Sequence, residues 1–392
     1  MKKVCVFTGS RAEYGLLKPL MEHFSDDPHI ELQTLVSGMH LAPEFGLTIH
    51  EIERDGFLIN EAIDMLLSSD TPAGLCKSTG LGLIGYSDAL VRLAPHVLVV
   101  LGDRFEAMAA ATAATFHGIP IAHLHGGEST QGAVDESFRH AITKMSYLHF
   151  AATEEYRRRI IQLGENPSRV FNVGAIGLDV IERLAFLSRE ELESELGFKF
   201  GESNLLITFH PVTLENQSSE HQFKELLQAV DQLASTKVIF TKSNADTHGR
   251  VINQLIDRYV AENHQRATAS TSLGQLRYLS VLRLVDAVVG NSSSGIIEAP
   301  SLGVPTVNIG DRQKGRTKPA SVIDCAPEAA EILEACRLAF TKKLKKIAQA
   351  SENPYRQKNT ARRIAEIISS AEIADLKKSF FDLPQDCFRG LS

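Results

Sequence analysis

The 392-residue sequence predicts an α/β protein built from two successive Rossmann-like domains facing a central cleft. Two observations carry that prediction. Short continuous apolar runs, each closed by a small polar turn, alternate with segments of helical period. The alternation is interrupted once by a charged stretch and then restarts. Runs apolar on both faces fit buried parallel strands, and the helical spacers fit right-handed crossovers.

In the first domain, expected over 1–177, VCVFTGSR runs into a helix near Glu13–Ser25. ELQTLVSG, HVLVVLGDR, IPIAHLHGGE, YLHFAAT and VFNVGAIG follow as further strands. The interruption, IERLAFLSREELESELGFKFGES, reads as a helix and a linker over 178–203. The second domain, over 204–364, restarts with NLLITFHPVT, KVIFTKSNAD, VDAVVGNSSSG, VPTVNIGDRQ and SVIDCAP. Helical period returns from Pro354 to about Ser379, so a C-terminal helix, placed at about 365–392, is expected to pack back on the first domain. Ligands of open α/β sheets bind beyond the carboxyl ends of the strands, which puts the site in the cleft.

Composition narrows the partners. A hydrophobic share of 43% and a charged share of 23% fit a soluble globular chain. The formal charge of −7 leaves no basic footprint, so nucleic acid is not expected as a partner. The five cysteines form no C-x-x-C pair, and Cys5 and Cys325 sit in apolar runs, as reduced buried thiols of a cytoplasmic protein would. The apolar run VCVF after two lysines is too short for a signal peptide, and no run reaches a membrane span. A soluble, intracellular protein without a membrane partner is expected.

The strand ends carry the chemistry. T-G-S-R sets Arg11 where a helix begins, a position suited to a phosphate or carboxylate, or simply to a solvated loop arginine. L-G-D-R-F-E puts Asp103 at the mouth of a buried strand, where capping the next helix and chemistry are compatible roles. H-L-H-G-G-E-S-T-Q-G-A-V-D-E-S-F-R-H, His123 to His140, gathers seven ionisable side chains in eighteen residues. On a helix, Asp135 and Glu136 would meet Arg139 at i+4 and i+3, which is an ordinary first-turn ion pair unless the preceding glycine turn brings it to a site. His210 ends the T-F-H-P-V-T strand and faces the same cleft if the strand does.

The strongest signal is V-V-G-N-S-S-S-G-I-I-E. Its small-residue turn, Gly290 to Gly295, would open a helix whose free N–H groups and serine hydroxyls face an anion. Glu298, on the first turn of that helix, would repel phosphate but accept bonds from a ribose diol. Arg312, Lys314 and Arg316 place three cations near the same mouth, and the ligand shape suggested is a diphosphate with sugar. Gly80, Gly82 and Gly85 spell G-x-G-x-x-G, but no strand precedes them and their surroundings are turn-like, so a dinucleotide cofactor is rejected. His123 and His125 would share a strand face without a clear third ligand, so no metal is expected.

Taken together, T-G-S-R-A-E-Y-G, S-G-M-H, L-G-D-R-F-E, H-G-G-E, D-E-S-F-R-H-A-I-T-K, F-H-P-V-T, S-N-A-D, G-N-S-S-S-G-I-I-E and N-I-G-D-R-Q-K-G-R resemble the hydrolysing UDP-N-acetylglucosamine 2-epimerases that start bacterial sialic-acid synthesis. The resemblance runs in order from Met1 to about Arg363. It implies a glycosyltransferase-B-like fold, a homodimer or homotetramer, and no cofactor. It implies conversion of UDP-N-acetylglucosamine and water into N-acetylmannosamine and UDP, by elimination to 2-acetamidoglucal and rehydration with inversion at C2. By the matching positions, Arg11, Arg104, His210, Asn244, Ser292, Ser293, Ser294, Glu298, Arg312 and Arg316 would hold UDP, and His40 would meet the sugar. His210 would also help the leaving group depart. Asp103, Asp135 and Glu136 would move protons, oriented by Arg139, and crowded carboxylates would raise one another's pKa to keep one protonated.

The sequence departs from the pattern where many relatives place a glutamate two residues after the histidine of H-x-E. His125 stands there, with Glu128 as the next acid, and either could take the role. Glu136 replaces a common aspartate. Close cousins carry nearly the same motifs but act on a UDP-2,4-diacetamido-2,4,6-trideoxyhexose of the legionaminic-acid pathway. A glycosyltransferase of the same fold would need fewer carboxylates around C2, and a non-catalytic nucleotide-sugar binder would have no use for Asp103 or Asp135.

Overall fold

The first seven strands are β1 (Lys2–Thr8), β2 (Ile30–Ser37), β3 (Glu61–Ile63), β4 (Val97–Leu101), β5 (Ile121–Leu124), β6 (Leu148–Ala151) and β7 (Val170–Asn172). The remaining six are β8 (Ser203–Thr208), β9 (Thr236–Thr241), β10 (Ala267–Ser270), β11 (Ala287–Gly290), β12 (Thr306–Ile309) and β13 (Val322–Cys325). This computed structural model describes residues 1–131, 133–212, 218–233, 235–243, 249–373 and 375–384. Among the described residues the strands form two parallel sheets, ordered β3-β2-β1-β4-β5-β6-β7 and β10-β9-β8-β11-β12-β13. In each sheet the order reverses beside the first strand, between β1 and β4 and between β8 and β11, and that reversal opens a crevice at the carboxyl ends.

Both sheets are covered on both faces, which is why their strands read as unbroken apolar runs. Val4 and Val6 of β1 belong to one core with the helix Arg11–Asp26, while Cys5 and Phe7 face another with the helices Pro72–Leu93 and Phe105–Phe116. In β8, Leu205 and Ile207 face one core and Leu206 the other. Each interior is bonded by area removed from water, at about 25 cal/mol per Å².

Every strand read from the sequence is present, and two more appear. β3 and β10 occupy the same place in their domains, at the sheet edge beside the second strand. β3 spans only Glu61–Ile63 and β10 reads A-T-A-S, so neither carries the apolar run that marks a strand covered on both faces. The G-x-G-x-x-G glycines lie inside the helix Pro72–Leu93, not in a turn. A Cβ on Gly82 would stand 2.8 Å from the Met65 methyl, and one on Gly85 would collide with Ile63, so these glycines let the helix press onto the β3 edge. The 178–203 stretch forms helices Leu178–Arg183 and Arg189–Leu196, and Leu192, Phe198 and Phe200 are buried with Leu206 and Val288 of the second sheet.

The last helix among the described residues, Thr360–Ser370, packs on the first domain through Ala361, Ile364, Ala365 and Ile368, the i, i+3, i+4, i+7 pattern of an apolar face. Of the helix expected at about 365–392, the described part begins earlier and ends at Ser370, while 385–392 lie outside the described residues. The Lys2 ammonium caps it by donating to the carbonyls of Ile368 (2.9 Å), Ser369 (3.0 Å) and Ala371 (2.6 Å), where a cation meets the negative end of the helix dipole. Beyond it, Lys378 donates to the carbonyls of Lys144 (2.7 Å) and Ser146 (2.6 Å), so the non-helical residues after the helix also cross the first domain.

Polar ties cross between the domains at several points. The Thr317 N–H donates to the Tyr156 hydroxyl (3.0 Å), Tyr355 donates to the Thr317 carbonyl (2.8 Å), and the two tyrosine hydroxyls bond each other (2.7 Å). On the other side, Arg250 makes two hydrogen bonds to Glu44, at 3.1 and 3.0 Å.

Gly290 ends β11 with φ 136°, and a Cβ there would collide with the Thr208 carbonyl on the neighbouring strand. Gly290→Ala is therefore expected to destabilise the second domain by about 3 kcal/mol or more, since the added carbon meets backbone rather than a movable side chain. Urea unfolding followed by circular dichroism would measure this, and an unchanged midpoint would mean the close approach is not required.

Candidate active site

The carboxyl ends of both sheets face one continuous cleft with an inner pocket of about 150 Å³ and an outer part of about 380 Å³. Asp103, Glu298 and Arg312 line both parts.

The inner pocket is organised by the turn after β5. His125 follows the last strand residue with φ 63°, a left-handed conformation uncommon for any residue but glycine. Its N–H still donates to the Phe150 carbonyl (2.9 Å), and its carbonyl accepts from Arg139 (2.6 Å). The left-handed turn takes His125 off the strand, so it does not share a strand face with His123. The His123 ring is buried between the Gly102 carbonyl (2.8 Å) and Thr143 (3.2 Å), and burial pulls its pKa down to about 3. Among the described residues no group of three or more His, Cys, Asp or Glu side chains is placed to hold a metal ion.

The His125 ring is fixed at both nitrogens. Nδ1 lies 2.6 Å from Glu128 Oε1, and the Ile176 N–H points at Nε2 from 3.4 Å. A backbone N–H only donates, so Nε2 carries the lone pair and the ring proton sits on Nδ1, toward the carboxylate. Glu128 is almost wholly buried, and its second oxygen meets Arg316 of the other domain at 2.9 Å, with Arg139 at 4.0 Å. Burial pushes the Glu128 carboxyl up, but Arg316, His125 and Arg139 outweigh it and hold the group well below the ordinary carboxylate range. Arg316 also donates to the Ser129 carbonyl (2.8 Å).

Among the described residues Glu136 does not form the ion pair expected with Arg139 one turn on. Arg139 instead pairs with Asp103, joining the end of β4 to the turn after β5. Asp135, first residue of the helix Asp135–Met145, lines the outer cleft. Glu136, about 100° further round, is not among the lining residues. It accepts from the Thr130 N–H and Ser129 Oγ and meets His140 at 3.3 Å, so it clasps the loop. Burial raises its pKa, but His140 and the Thr130 N–H more than offset this and bring it to about 2.

In the outer cleft, Arg11 opens its helix and reaches Glu51 (2.6 Å) and the Ser272 hydroxyl. Arg104 lines the same wall and pairs with Glu106 (3.0 Å). From the second domain come His210, Ser292, Ser293, Ser294, Glu298 and Arg312. Asn291 clasps the His210 backbone with two hydrogen bonds, 2.7 and 2.8 Å, joining the ends of β8 and β11. Glu298 is enclosed, burial raises its pKa, and its Oε2 has no hydrogen-bond partner among the described residues.

Three expectations from the sequence change here, and a fourth is untouched. His40 is fully buried behind the cleft wall, bonded to Thr8 (3.0 Å) and Thr48 (2.8 Å), and burial lowers its pKa to about 4. Lys314 points to solvent and pairs with Asp311. The serine turn opens only the four-residue helix Ser294–Ile297, with Glu298 as its C-terminal cap, because Pro300 forces a tighter turn at once. Asn244 lies outside the described residues.

The comparisons with known proteins agree with this architecture. The family profile described as UDP-N-acetylglucosamine 2-epimerase matches residues 22–369. The chain belongs to that enzyme family. A GDP/UDP-N,N'-diacetylbacillosamine 2-epimerase (hydrolyzing) of Campylobacter jejuni is 43% identical over 323 residues, 82% of this chain and 84% of that protein. Polysialic acid biosynthesis protein P7 of Escherichia coli is 39% identical over 388 residues, 98% of each chain. The crystal structure of UDP-GlcNAc 2-epimerase from Neisseria meningitidis bound to UDP-GlcNAc superposes with a TM-score of 0.78 at 19% identity, covering 94% of this chain and 99% of that one. That likeness establishes the glycosyltransferase-B-like fold of the family member described here.

Several lining residues escaped the sequence reading. Tyr278, which donates to Ser294 Oγ (2.6 Å), and Gln275 sit on the helix Gly274–Leu284, beyond an edge strand that was not legible. Glu13 had a signal: S-R-A-E is a capping box, and Glu13 Oε2 accepts from the N–H groups of Gly9 (2.7 Å) and Ser10 (3.2 Å). Crowding does not raise Glu128 or Glu136, where cations and, for Glu136, a backbone N–H prevail. It is Glu13 that rises, to about 7, through burial and the neighbouring Glu106, against the pull of Arg104.

A carboxyl raised in the folded state binds its proton there before the unfolded chain does. Stability from Glu13 is therefore full below the ordinary glutamate range and falls as pH rises to about 7, by ~3 kcal/mol. Glu13→Gln keeps the capping acceptor but cannot ionise, so its stability should fall less than that of the wild type between pH 5 and 8. Urea titrations at both pH values test this; parallel losses in the two proteins would remove Glu13 as the titrating group.

Proposed function

We propose that this enzyme is a hydrolysing 2-epimerase that converts UDP-N-acetylglucosamine and water into N-acetylmannosamine and UDP. The observation that carries the reading is the inner pocket itself. There a histidine oriented by a buried carboxylate faces a serine turn, an enclosed carboxyl and an arginine from the other domain. In this reading the free Glu298 oxygen accepts the ribose hydroxyls, and Arg312, His210 and the serine hydroxyls offset the diphosphate charge.

His125 Nε2, whose lone pair meets the Ile176 N–H at 3.4 Å, gives up that long contact and takes the proton from C2 as the C1–O bond breaks and the bond's electron pair leaves on the β-phosphate oxygen of UDP. The product of that step is 2-acetamidoglucal. Glu128 has both oxygens engaged, which supports its role as the group that orients His125 rather than the base. Asp103 relays a proton from the incoming water to the other face of C2 while the water oxygen bonds C1, and Arg139 orients Asp103. The Escherichia coli relative's name, polysialic acid biosynthesis, accords with a route that begins from N-acetylmannosamine.

One observation favours a second substrate. The Campylobacter jejuni relative is named for a diacetylated 2-epimerase substrate, which supports the same chemistry on a UDP-2,4-diacetamido-2,4,6-trideoxyhexose.

Purified enzyme incubated in D₂O with each UDP-sugar, followed by proton NMR, tests both. Deuterium at C2 of a released, inverted amino sugar together with free UDP is the expected result with one of the two. Hydrolysis without deuterium, or silence with both, would sink the elimination route. Glu128→Gln and Arg316→Met should each lower kcat by about a hundredfold or more. UDP affinity in Glu128→Gln should stay within about threefold, because the leaving group is bound elsewhere in the cleft.

A further inference from the structure

The last paired residues of β8 and β11 are Thr208 and Gly290. One residue further on, the Asn291 N–H still donates to the Thr208 carbonyl (3.2 Å). His210 lies beyond that rung, and Pro211 after it has no N–H with which to continue a ladder. The Asn291 side chain takes over from the backbone here. Its Oδ1 accepts from the His210 N–H (2.7 Å), and its Nδ2 donates to the His210 carbonyl (2.8 Å). A carboxamide carries the donor and acceptor of a peptide group, so it supplies one more rung through a side chain. Its orientation follows from the partners, because the flipped amide would set NH₂ against N–H and oxygen against oxygen.

Asn291 is itself held. It is wholly buried, and its own carbonyl accepts from Gln313 Nε2 (2.8 Å) and from Arg312 (3.2 Å), both of which follow β12. One residue thus gathers the ends of three neighbouring strands, while His210 and Arg312 line the cleft. We infer that Asn291 is a positioning residue, whose carboxamide aims the His210 imidazole at the diphosphate of the nucleotide. The inference rests on the reading of this cleft as a UDP-sugar site. Bonds to the N–H and the carbonyl of the same residue bracket its Cα, so they fix the direction in which the side chain leaves the strand. A displacement of the ring by about 1 Å is enough to spoil its contact with a ligand. Asparagine alone meets the demand. Aspartate has the shape but no donor, and glutamine holds the same groups one methylene further out.

A double-variant cycle on UDP affinity, measured by titration calorimetry of the full chain, tests the inference whichever sugar the enzyme takes. His210→Ala should weaken UDP by about tenfold or more, and Asn291→Ala by a similar factor. The double variant H210A/N291A should bind within about threefold of the weaker single variant, because without the ring the clasp has nothing to aim. Asn291→Ala leaves the backbone carbonyl at 291 in place for Arg312 and Gln313, so the cycle isolates the carboxamide. An Asn291→Ala enzyme that binds UDP as the wild type does would overturn the inference, and so would losses that multiply in the double variant. A His210→Ala enzyme with unchanged UDP affinity would take His210 off the diphosphate and the clasp's role with it, while the deuterium experiment would still decide the reaction. Should Asn291→Ala fail to melt cooperatively, Asn291→Asp, which keeps the bond from the His210 N–H, runs the same cycle with the same coupling expected.

Discussion

A buried ion pair between Glu128 of the first domain and Arg316 of the second is the constraint around which the site is arranged. Taking both charges out of water is expensive, and neighbouring polar groups offset part of that cost. His125 and Arg139 share the Glu128 carboxylate, and the Ser129 carbonyl takes a proton of Arg316. Removing either partner would leave an uncompensated buried charge at a cost of about 3–5 kcal/mol. The pair therefore couples three things: the spacing of the domains, the conformation of the turn after β5, and the protonation pattern of His125.

The tyrosine ties serve the same constraint. Thr317 follows Arg316 directly, and its backbone is gripped by Tyr156 of the first domain and Tyr355 of the returning C-terminal segment. The last helix, capped by Lys2, carries the chain back across the first domain just beyond Tyr355. A positioning residue in one domain is thus held by a network reaching both ends of the chain. Arg139 performs the equivalent task inside the first domain, linking Asp103 to the His125 carbonyl. The left-handed backbone at His125 is the strained element these contacts hold in place, and such strain persists only where surroundings over-determine it.

Electrostatics divide the carboxyls by neighbour rather than by crowding. Glu128 and Glu136 sit among cations or backbone donors and stay ionised. Glu13 and Glu298 sit in enclosed walls, and burial wins. The cleft consequently offers a fixed anion beside the histidine and, at Glu13 and Glu298, carboxyls whose pKa burial raises, a division that composition alone does not reveal.

Period and punctuation were enough to read the fold. The buried strands of the two domains are unbroken apolar runs because both faces are covered, and the positions of Asp103, His125, Glu128, His210 and the serine turn follow from strand ends. Edge strands β3 and β10 were not legible, since a short or polar edge lacks the second buried face that writes the pattern. Direction within the site was not legible either. Spacing along one helix put Arg139 with Asp135 and Glu136, yet Arg139 pairs with Asp103, distant in sequence, because the sheet order sets β4 beside β5. His40, motif-bearing, ended behind the wall, and Glu136 turned to the loop. The residue types available to the site are a property of the local chain. Which of them meet is set by sheet order and by the contact between domains, because an ion pair forms with whatever the folded backbone brings within reach, at any separation in sequence.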